Sequence, residues 1–397
     1  MRACWKIRSM KKILYIVDDI NYNSGAKAVT LFQMRQLVNE YDIYLFSLTC
    51  PLEEIDFLKD DHILDDYIWH ITEIYAESFK KAMKSKKYSI AQKLSRILYA
   101  VSLRLGVGDL YFNHLIGKRL IPIFEKFETV VVVSEASKLR VLVSNLKHPK
   151  KIQWIHTDYA RWSQFSEWSK AVTRNDKSIY LKYDTVVVLS EFCKRGMIQK
   201  LPDIAEKIIV IPNLVNGDRI LKLAEQSVNI NIKSNELQLV TVARIDREKR
   251  IDKVLELALL LQQKGIAFKW YIIGDGPERE ELERKAKEKL LDLQVIFVGY
   301  MENPYSIMKR CQVMVLLSKY EGTPVTIDEA MVLGLNVVAP RVGGISEQLE
   351  LYAAKYLIDP ENLDDCIMGI LQKNIRQPVD FALSNKKRIQ LIKKALQ

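Results

Sequence analysis

The chain has 397 residues, 48% hydrophobic and 27% charged, a balance that excludes a disordered polar chain and predicts two domains of ordinary size, each able to bury a core. No uncharged apolar stretch approaches the roughly 18 residues of a spanning helix, so the chain is not expected to cross a bilayer. The 60 Lys and Arg against 49 Asp and Glu leave a formal net charge of +11, which points to an anionic partner: nucleic acid, a small anion or an anionic membrane surface.

From the N-terminus, "MRACWKIRSMKKILYIVDD" is basic, but its apolar run ends at Asp18 with no small-residue cleavage site. It reads as a first strand rather than a signal peptide, with Met10 an alternative start. Cys4, Cys50, Cys193, Cys311 and Cys366 are scattered, odd in number and without CxxC pairs, as expected for a reducing, cytoplasmic setting without structural zinc. "KKILYIV", the loop "DDINYNSG", a helix over 26–39 and the strand "IYLFSL" form the repeating unit of a parallel sheet. Much of the positive excess follows, in Lys80, Lys81, Lys84, Lys86, Lys87, Lys93, Arg96, Arg104, Lys118 and Arg119, with Asp109 the one acid between Lys80 and Arg119. Within it, "YSIAQKLSRILYAVSLRLG" places Ile90, Leu94, Ile97, Leu98 and Val101 near one helical face, flanked by Lys93, Arg96 and Arg104. Two readings fit: the stripe packs on the domain core, or it lies on anionic lipid.

"TVVVVSEASK" (129–138) and "TVVVLSEFCK" (185–194) are unbroken β-branched runs followed by a cap, as strands buried on both faces require. The polar "QSVNINIKSNE" then interrupts the pattern, placing a boundary at 214–237 and giving domains 1–214 and 215–375 with a basic helical tail at 376–397. From there strands at 238–243, 269–273, 294–298, 312–317, 336–339 and 356–358 alternate with helices at 251–264, 277–289, 304–309 and 325–333. This is the rhythm of an α/β, doubly wound parallel sheet.

In such sheets ligands sit beyond the carboxyl ends of the strands. After the strand at 238–243, Arg244 and Lys249 stand near a helix start, where they fit either a diphosphate clamp or ordinary surface charge. Gly274, in "GDGPE", permits a close backbone approach or a turn, and Tyr300, in "FVGYMEN", either meets a base or packs. "YEGTPVTIDEAMVLG" holds Glu321 in a loop before a helix and Glu329 inside that helix, a position from which a carboxylate accepts from the two hydroxyls of a ribose. Gly343 and Gly344, in "PRVGGISE", mark a turn or a ligand contact. In the first half, Ser24 and Gly25 precede a helix, His156 in "QWIHTDYARW" ends a strand, and Asn213 in "IPNLV" ends another. No Asp-x-Asp and no His/Cys/Asp cluster with metal-ligand spacing occurs, so no metal is indicated.

The order of these signals is more specific than any one of them. Arg244-x4-Lys249, "GDGPE", "VGY", Glu321-x7-Glu329 with "EAMVLG", and "VGGISE" resemble the nucleotide-sugar domain of family-4 retaining glycosyltransferases with the GT-B fold, of the bacterial surface-polysaccharide type. The match covers about residues 238–350; the first half matches more loosely through "NSGAKAV", "WIHTD", "VVVLSEF" and "VIPN". The resemblance implies two Rossmann-like doubly wound domains facing across a cleft, acceptor on the first, donor on the second, with 376–397 returning to the first. It implies that Arg244 and Lys249 hold the donor diphosphate and stabilise the charge that grows as it departs, the place where an electrostatic clamp accelerates a reaction. Glu321 would bind hydroxyls of the transferred sugar, Glu329 the ribose, and His156 would lie near the reacting sugar. Gly25 and Asn213, with Gly274, Tyr300, Gly322, Thr323 and Val325, would complete the substrate contacts. Two departures from the family stand out: Ser24-Gly25 replaces a pair of glycines, and Pro324 lacks an N–H that a relative's glycine offers the sugar.

The expected reaction is metal-independent, retaining transfer of a hexose-type sugar from a nucleotide-diphosphate sugar to a glycan or lipid-linked acceptor in cell-surface polysaccharide synthesis. A front-face, oxocarbenium-like route is favoured. No cofactor is expected, and UDP is the favoured nucleotide. Partners implied are the donor, the acceptor and, through residues 80–119, the inner face of the cell membrane, but not nucleic acid. A basic nucleic-acid binder and a non-catalytic partner subunit on the same fold are the alternatives.

Overall fold

The first strand, β1 (Lys12–Val17), is an apolar run whose middle residues are all buried, because helices cover both faces of a parallel sheet. In the computed structural model, which describes residues 10–21, 24–49, 55–59, 62–64, 74–75, 77–105, 108–228, 236–372 and 378–397, β1 is followed by β2 (Asp42–Ser47), β3 (Ile63–Leu64), β4 (Thr129–Val132), β5 (Lys150–Trp154), β6 (Thr185–Val188) and β7 (Ile208–Val210). These form a seven-stranded parallel sheet in the order β3-β2-β1-β4-β5-β6-β7. A second parallel sheet, in the order β10-β9-β8-β11-β12-β13, is built from β8 (Leu237–Val242), β9 (Phe268–Ile273), β10 (Val295–Gly299), β11 (Val313–Val315), β12 (Asn336–Pro340) and β13 (Lys355–Ile358). The chain divides into two compact units: residues 1–188, 194–211 and 389–397, and residues 189–193 with 212–388. Cys4, Cys50 and residues 229–235 of the polar stretch lie outside the described residues. Cys193, Cys311 and Cys366 are buried thiols outside any disulfide.

In the second unit, alternation along each strand divides the core. Val240, Tyr271, Ile273, Met314, Val337 and Ala339 pack on one face of the sheet, and Leu239, Trp270, Ile272, Val313, Val315 and Val338 pack on the other. The period-2 geometry of a strand makes that division automatic. The Ile251–Gln263 helix closes the second face with Ile251, Val254, Leu255, Ala258 and Leu261, an i, i+3, i+4, i+7 stripe. Two polar groups in the sheet satisfy each other: Trp270 Nε1 donates to Thr241 Oγ1 at 3.0 Å, and that hydroxyl donates to the Val315 carbonyl at 2.8 Å.

In the first unit, the three short helices Tyr159–Phe165, Glu167–Thr173 and Asp176–Tyr180 surround a buried ion pair. Arg140 Nη2 lies 3.2 Å from Asp176 Oδ1, Arg140 Nη1 donates to the Ser137 carbonyl at 3.1 Å, and Tyr159 donates to Asp176 Oδ2 at 2.8 Å. The Ala382–Leu396 helix has contacts in each unit. Within the first, Lys393 pairs with Glu40 at 2.5 Å and Thr129 donates to the Leu396 carbonyl at 3.2 Å. Within the second, Asn385 exchanges two hydrogen bonds with the Val215 backbone.

The Ile90–Arg104 helix settles which side of its apolar stripe is inward. Ile90, Leu94, Ile97, Leu98 and Val101 are exposed, whereas Arg96 is buried. Arg96 is therefore not a flanking surface charge: its Nε donates to the Ile74 carbonyl at 3.2 Å, and its guanidinium lies over the Phe79 and Tyr99 rings. Among the described residues no helix is long and apolar enough to cross a membrane.

Arg140→Ala should destabilise the protein by about 3–5 kcal/mol in urea unfolding, because it leaves the Asp176 carboxylate buried and uncompensated. A loss below about 1 kcal/mol would show that water relieves Asp176.

Candidate active site

Both sheets reverse strand order at one place, between β1 and β4 in the first and between β8 and β11 in the second. Loops that leave adjacent strands in opposite directions open a crevice there. The second unit places Arg244 and Lys249 after β8, and Glu321 after β11, on the two sides of its crevice. They meet: Lys249 Nζ is 2.5 Å from Glu321 Oε1, with Glu321 9% exposed.

The loop after β8 is held by its own carboxylates. Asp246 Oδ1 accepts from the Glu248 amide at 3.0 Å and the Lys249 amide at 3.3 Å, while Asp246 Oδ2 pairs with Arg244 Nε. Glu248 lies 3.6 Å from Arg244 Nη2, and its carbonyl accepts from the Lys319 amide at 2.9 Å. Arg250, at φ 55°, starts the Ile251–Gln263 helix and pairs with Glu361 at 2.5 Å. Gly274 is required by backbone crowding: at φ +144°, a Cβ there would stand 1.9 Å from the Ala243 carbonyl oxygen. The turn reading of "GDGPE" therefore accounts for this glycine, and its close approach is to the β8 loop. Tyr300 follows edge strand β10 with 54% of its surface exposed, so packing does not account for its ring.

The Glu321 loop is locked from the next turn. A Cβ on Gly343, at φ +56°, would lie 1.7 Å from the Glu321 carbonyl oxygen, and the Gly344 amide donates to the Gly322 carbonyl at 2.8 Å. "VGGISE" is thus a brace for the carboxylate loop. Its Glu347 accepts from the Glu191 and Phe192 amides, each at 2.8 Å. Asn213 is spent in the same way: its Nδ2 donates to Thr323 O and Thr323 Oγ1, both at 3.2 Å. It braces Thr323, while its Oδ1 has no partner among the described residues. Gly322 and Thr323 lie in this loop, Pro324 caps the Val325–Val332 helix, and Val325 is that helix's first residue.

Glu329, one turn into the helix, accepts from Tyr305 OH at 2.8 Å. Burial pushes its carboxyl up to about 7, a rise the Tyr305 hydrogen bond moderates and neighbouring Asp328 adds to. Burial likewise raises Asp328 to about 6. Tyr305 and Asp246, each fixing a candidate ligand, had no distinct sequence signal.

His156 and Gly25 lie in the first unit. Gly25 is the first residue of the Gly25–Leu37 helix, whose cap Ser24 accepts from the Lys27 amide at 3.2 Å; Tyr22 and Asn23 lie outside the described residues. The His156 amide donates to Glu135 Oε2 at 3.2 Å. Its imidazole borders a cavity of about 10 Å³ shared with Tyr15, Thr30 and Gln33, and Nε2 has no partner among the described residues. Burial lowers the His156 pKa, opposed by Glu135 and by a hydrogen bond to the Val133 backbone, so the ring is neutral near pH 7. Among the described residues no three His, Cys, Asp or Glu side chains converge as a metal site.

Two parallel-sheet Rossmann-like units with a polar crevice at the second unit's switch point define a GT-B architecture. The structure of Anabaena HepE in complex with UDP-glucose superposes with a TM-score of 0.67 at 14% identity, over 96% of this chain and 99% of that one. Residues 224–395, somewhat less than half of the chain, match the family model for glycosyl transferases group 1. Poly(ribitol-phosphate) alpha-N-acetylglucosaminyltransferase of Staphylococcus aureus (strain COL) is 26% identical over 256 residues, 63% of this chain and 49% of that protein. N-acetyl-alpha-D-glucosaminyl L-malate synthase of Bacillus anthracis is 27% identical over 128 residues, 32% of this chain and 33% of that one. The chain thus matches half or less of the length of these two curated relatives.

Gly343→Ala should lower stability by at least about 2 kcal/mol in thermal unfolding, from positive φ and collision with the Glu321 carbonyl. Glu329→Gln should act with a pH-dependent sign. A carboxyl whose folded pKa is raised contributes full stability below its unfolded value and loses it as pH rises toward the folded value. Glutamine keeps the Tyr305 hydrogen bond without the charge, so the variant should be about 2 kcal/mol more stable than the parent above pH 7 and indistinguishable from it below about pH 4. Thermal unfolding across that range checks the crossover.

Proposed function

We propose that the protein is a retaining glycosyltransferase. It moves a hexose-type sugar from a nucleotide-diphosphate donor, UDP favoured, to a glycan or lipid-linked acceptor in cell-surface polysaccharide synthesis. The observation that carries this reading is the Lys249–Glu321 contact across the switch point of the group 1 domain. A cation for a diphosphate and a carboxylate for sugar hydroxyls stand next to each other there. Relatives named for N-acetylglucosaminyl transfer, and a fold neighbour solved with UDP-glucose, support the substrate class.

Glu321 holds the Lys249 ammonium in place. A donor diphosphate offers that ammonium a stronger partner, leaving both Glu321 oxygens to accept from the sugar. Arg244, oriented by Asp246 and Glu248, supplies the second cation. As the glycosidic bond breaks, negative charge accumulates on the departing phosphate, and cations fixed beforehand stabilise that charge without reorganising. Transfer on the front face, with the leaving phosphate taking the acceptor proton, needs no protein nucleophile and no metal ion. Glu329 would accept from the ribose hydroxyls, and Tyr300 would lie against the base. On the first unit, the neutral His156 ring and the Gly25 backbone are the proposed substrate contacts.

A thermal-shift screen of nucleotide sugars tests the reading, because a ligand of the folded state raises the midpoint by mass action. Stabilisation by DNA or RNA but by no nucleotide sugar would sink it. With the preferred donor, Lys249→Ala should lower kcat about 10²–10³-fold, a loss measured on folded protein below its thermal midpoint and far larger than any change in the folded fraction. Glu321→Gln should lower kcat about 10–100-fold with UDP affinity unchanged. Parent-like turnover in Lys249→Ala would remove the clamp assignment.

A further inference from the structure

We infer that the exposed face of the Ile90–Arg104 helix is a docking surface for an anionic lipid bilayer. Ile90, Leu94, Ile97, Leu98, Val101 and Leu105 recur at i, i+4, i+7, i+8, i+11 and i+15, an arc of about 100° on a helix. All six face outward, Ile90 at 80%, Leu94 at 56% and Leu98 at 55% exposure. The opposite side anchors the helix to its unit: Tyr99, Ser102 and Arg96 are buried, and Tyr75 OH meets Ser95 Oγ at 2.5 Å. An ordinary surface helix hides its apolar stripe and shows its charges. Here the arginine is inside, bound to backbone carbonyls, and the stripe is outside.

Charge selects the occupant. No acidic residue occurs between Ser78 and Leu105, and exposed Lys80, Lys84, Lys86, Lys87 and Arg104 accompany the stripe. A second copy of this chain would set that basic rim against an identical one, and like charges oppose the approach. An anionic bilayer attracts the rim, while its fluid acyl boundary accepts a single convex ridge without a shaped groove. The helix would lie in the interface plane with lysines and Arg104 extended toward phosphates. This surface is independent of the donor site, so the transferase reading neither requires it nor fails with it.

Flotation of the full chain with phosphatidylcholine vesicles, with and without phosphatidylglycerol, reads the proposal directly. The parent should float with the anionic vesicles, lose that binding as salt rises, and ignore phosphatidylcholine alone. The triple variant Leu94→Gln, Leu98→Gln, Val101→Gln should bind about tenfold more weakly at unchanged thermal midpoint, since it alters exposed positions only. Lys84→Gln with Lys86→Gln and Lys87→Gln should remove the preference for phosphatidylglycerol. If the triple variant does not fold, Leu98→Gln alone carries the same expectation in smaller degree. A parent that stays unbound with anionic vesicles at low salt overturns the inference. So does a folded variant that floats like the parent, or lipid-free self-association that the Leu98 substitution abolishes, which would make the occupant a second copy.

Discussion

The contact between Lys249 and Glu321 depends on one topological fact: β8 and β11 are neighbours, and the chain leaves them toward opposite sides. Seventy-two positions separate the two residues in sequence, and only the reversal of strand order brings their loops together. The pair is not itself a strong source of stability. Removing both charges from water offsets most of what their attraction contributes, so a partly buried ion pair is weak evidence for stabilisation. Its value is positional, because each group is held where a ligand of opposite demand can replace its partner. The surrounding glycines follow from this. Gly274 and Gly343 each admit a carbonyl closer than any Cβ would allow, and they bring the β9 loop and the β12 turn against the loops that carry the pair.

Charge balance at the crevice follows the same logic. Arg244 and Lys249 are matched locally by Asp246, Glu248 and Glu321, so the site is not a bare cationic patch despite the chain's excess of +11. A patch of unpaired cations would bind any polyanion. In the proposed reading, cations already held by carboxylates favour a ligand that brings hydroxyls for the released acid along with phosphates for the bases. A nucleotide sugar has both, and a nucleic-acid backbone offers the phosphates without a sugar placed for Glu321. Glu329 differs again: burial pushes its carboxyl up to about 7, so its ionised form is costly to hold near neutral pH, and in the proposed reading the ribose diol would lower that cost.

Much of this could be read from sequence because the inner strands of the second unit, β9, β8, β11 and β12, are largely buried on both faces. Unbroken apolar runs such as "VMV" and "VVAP" are sharp in that setting, and the expected strands from 238 to 358 lie close to those found. The Arg244, Lys249 and Glu321 motif was legible for a related reason: strand ends fix the sheet edge, and the charged residues follow directly. What could not be read was which candidates face a ligand and which face each other. Asn213 and the Gly343-Gly344 pair stand at strand ends like the rest, yet they brace the Glu321 loop. Tyr305, which holds Glu329, lies in a four-residue helix without pattern of its own. Side-chain pairing across loops has no sequence period, and so it leaves no sequence signal.

The Ile90–Arg104 helix shows a deeper limit of periodicity. A recurrence at i, i+4 and i+7 establishes that a helix has an apolar side; it does not say whether that side meets the core or something outside the chain. The deciding information lies in the residues opposite. Arg96 finds the Ile74 and Glu77 carbonyls and two aromatic rings, and a guanidinium with such partners can be buried where a lone one could not. Once Arg96 turns inward, a helix of about 100° per residue must carry Leu94, Leu98 and Val101 outward. The orientation of the stripe is therefore set by hydrogen-bond acceptors on a segment some twenty residues earlier, not by the hydrophobicity of the helix that displays it.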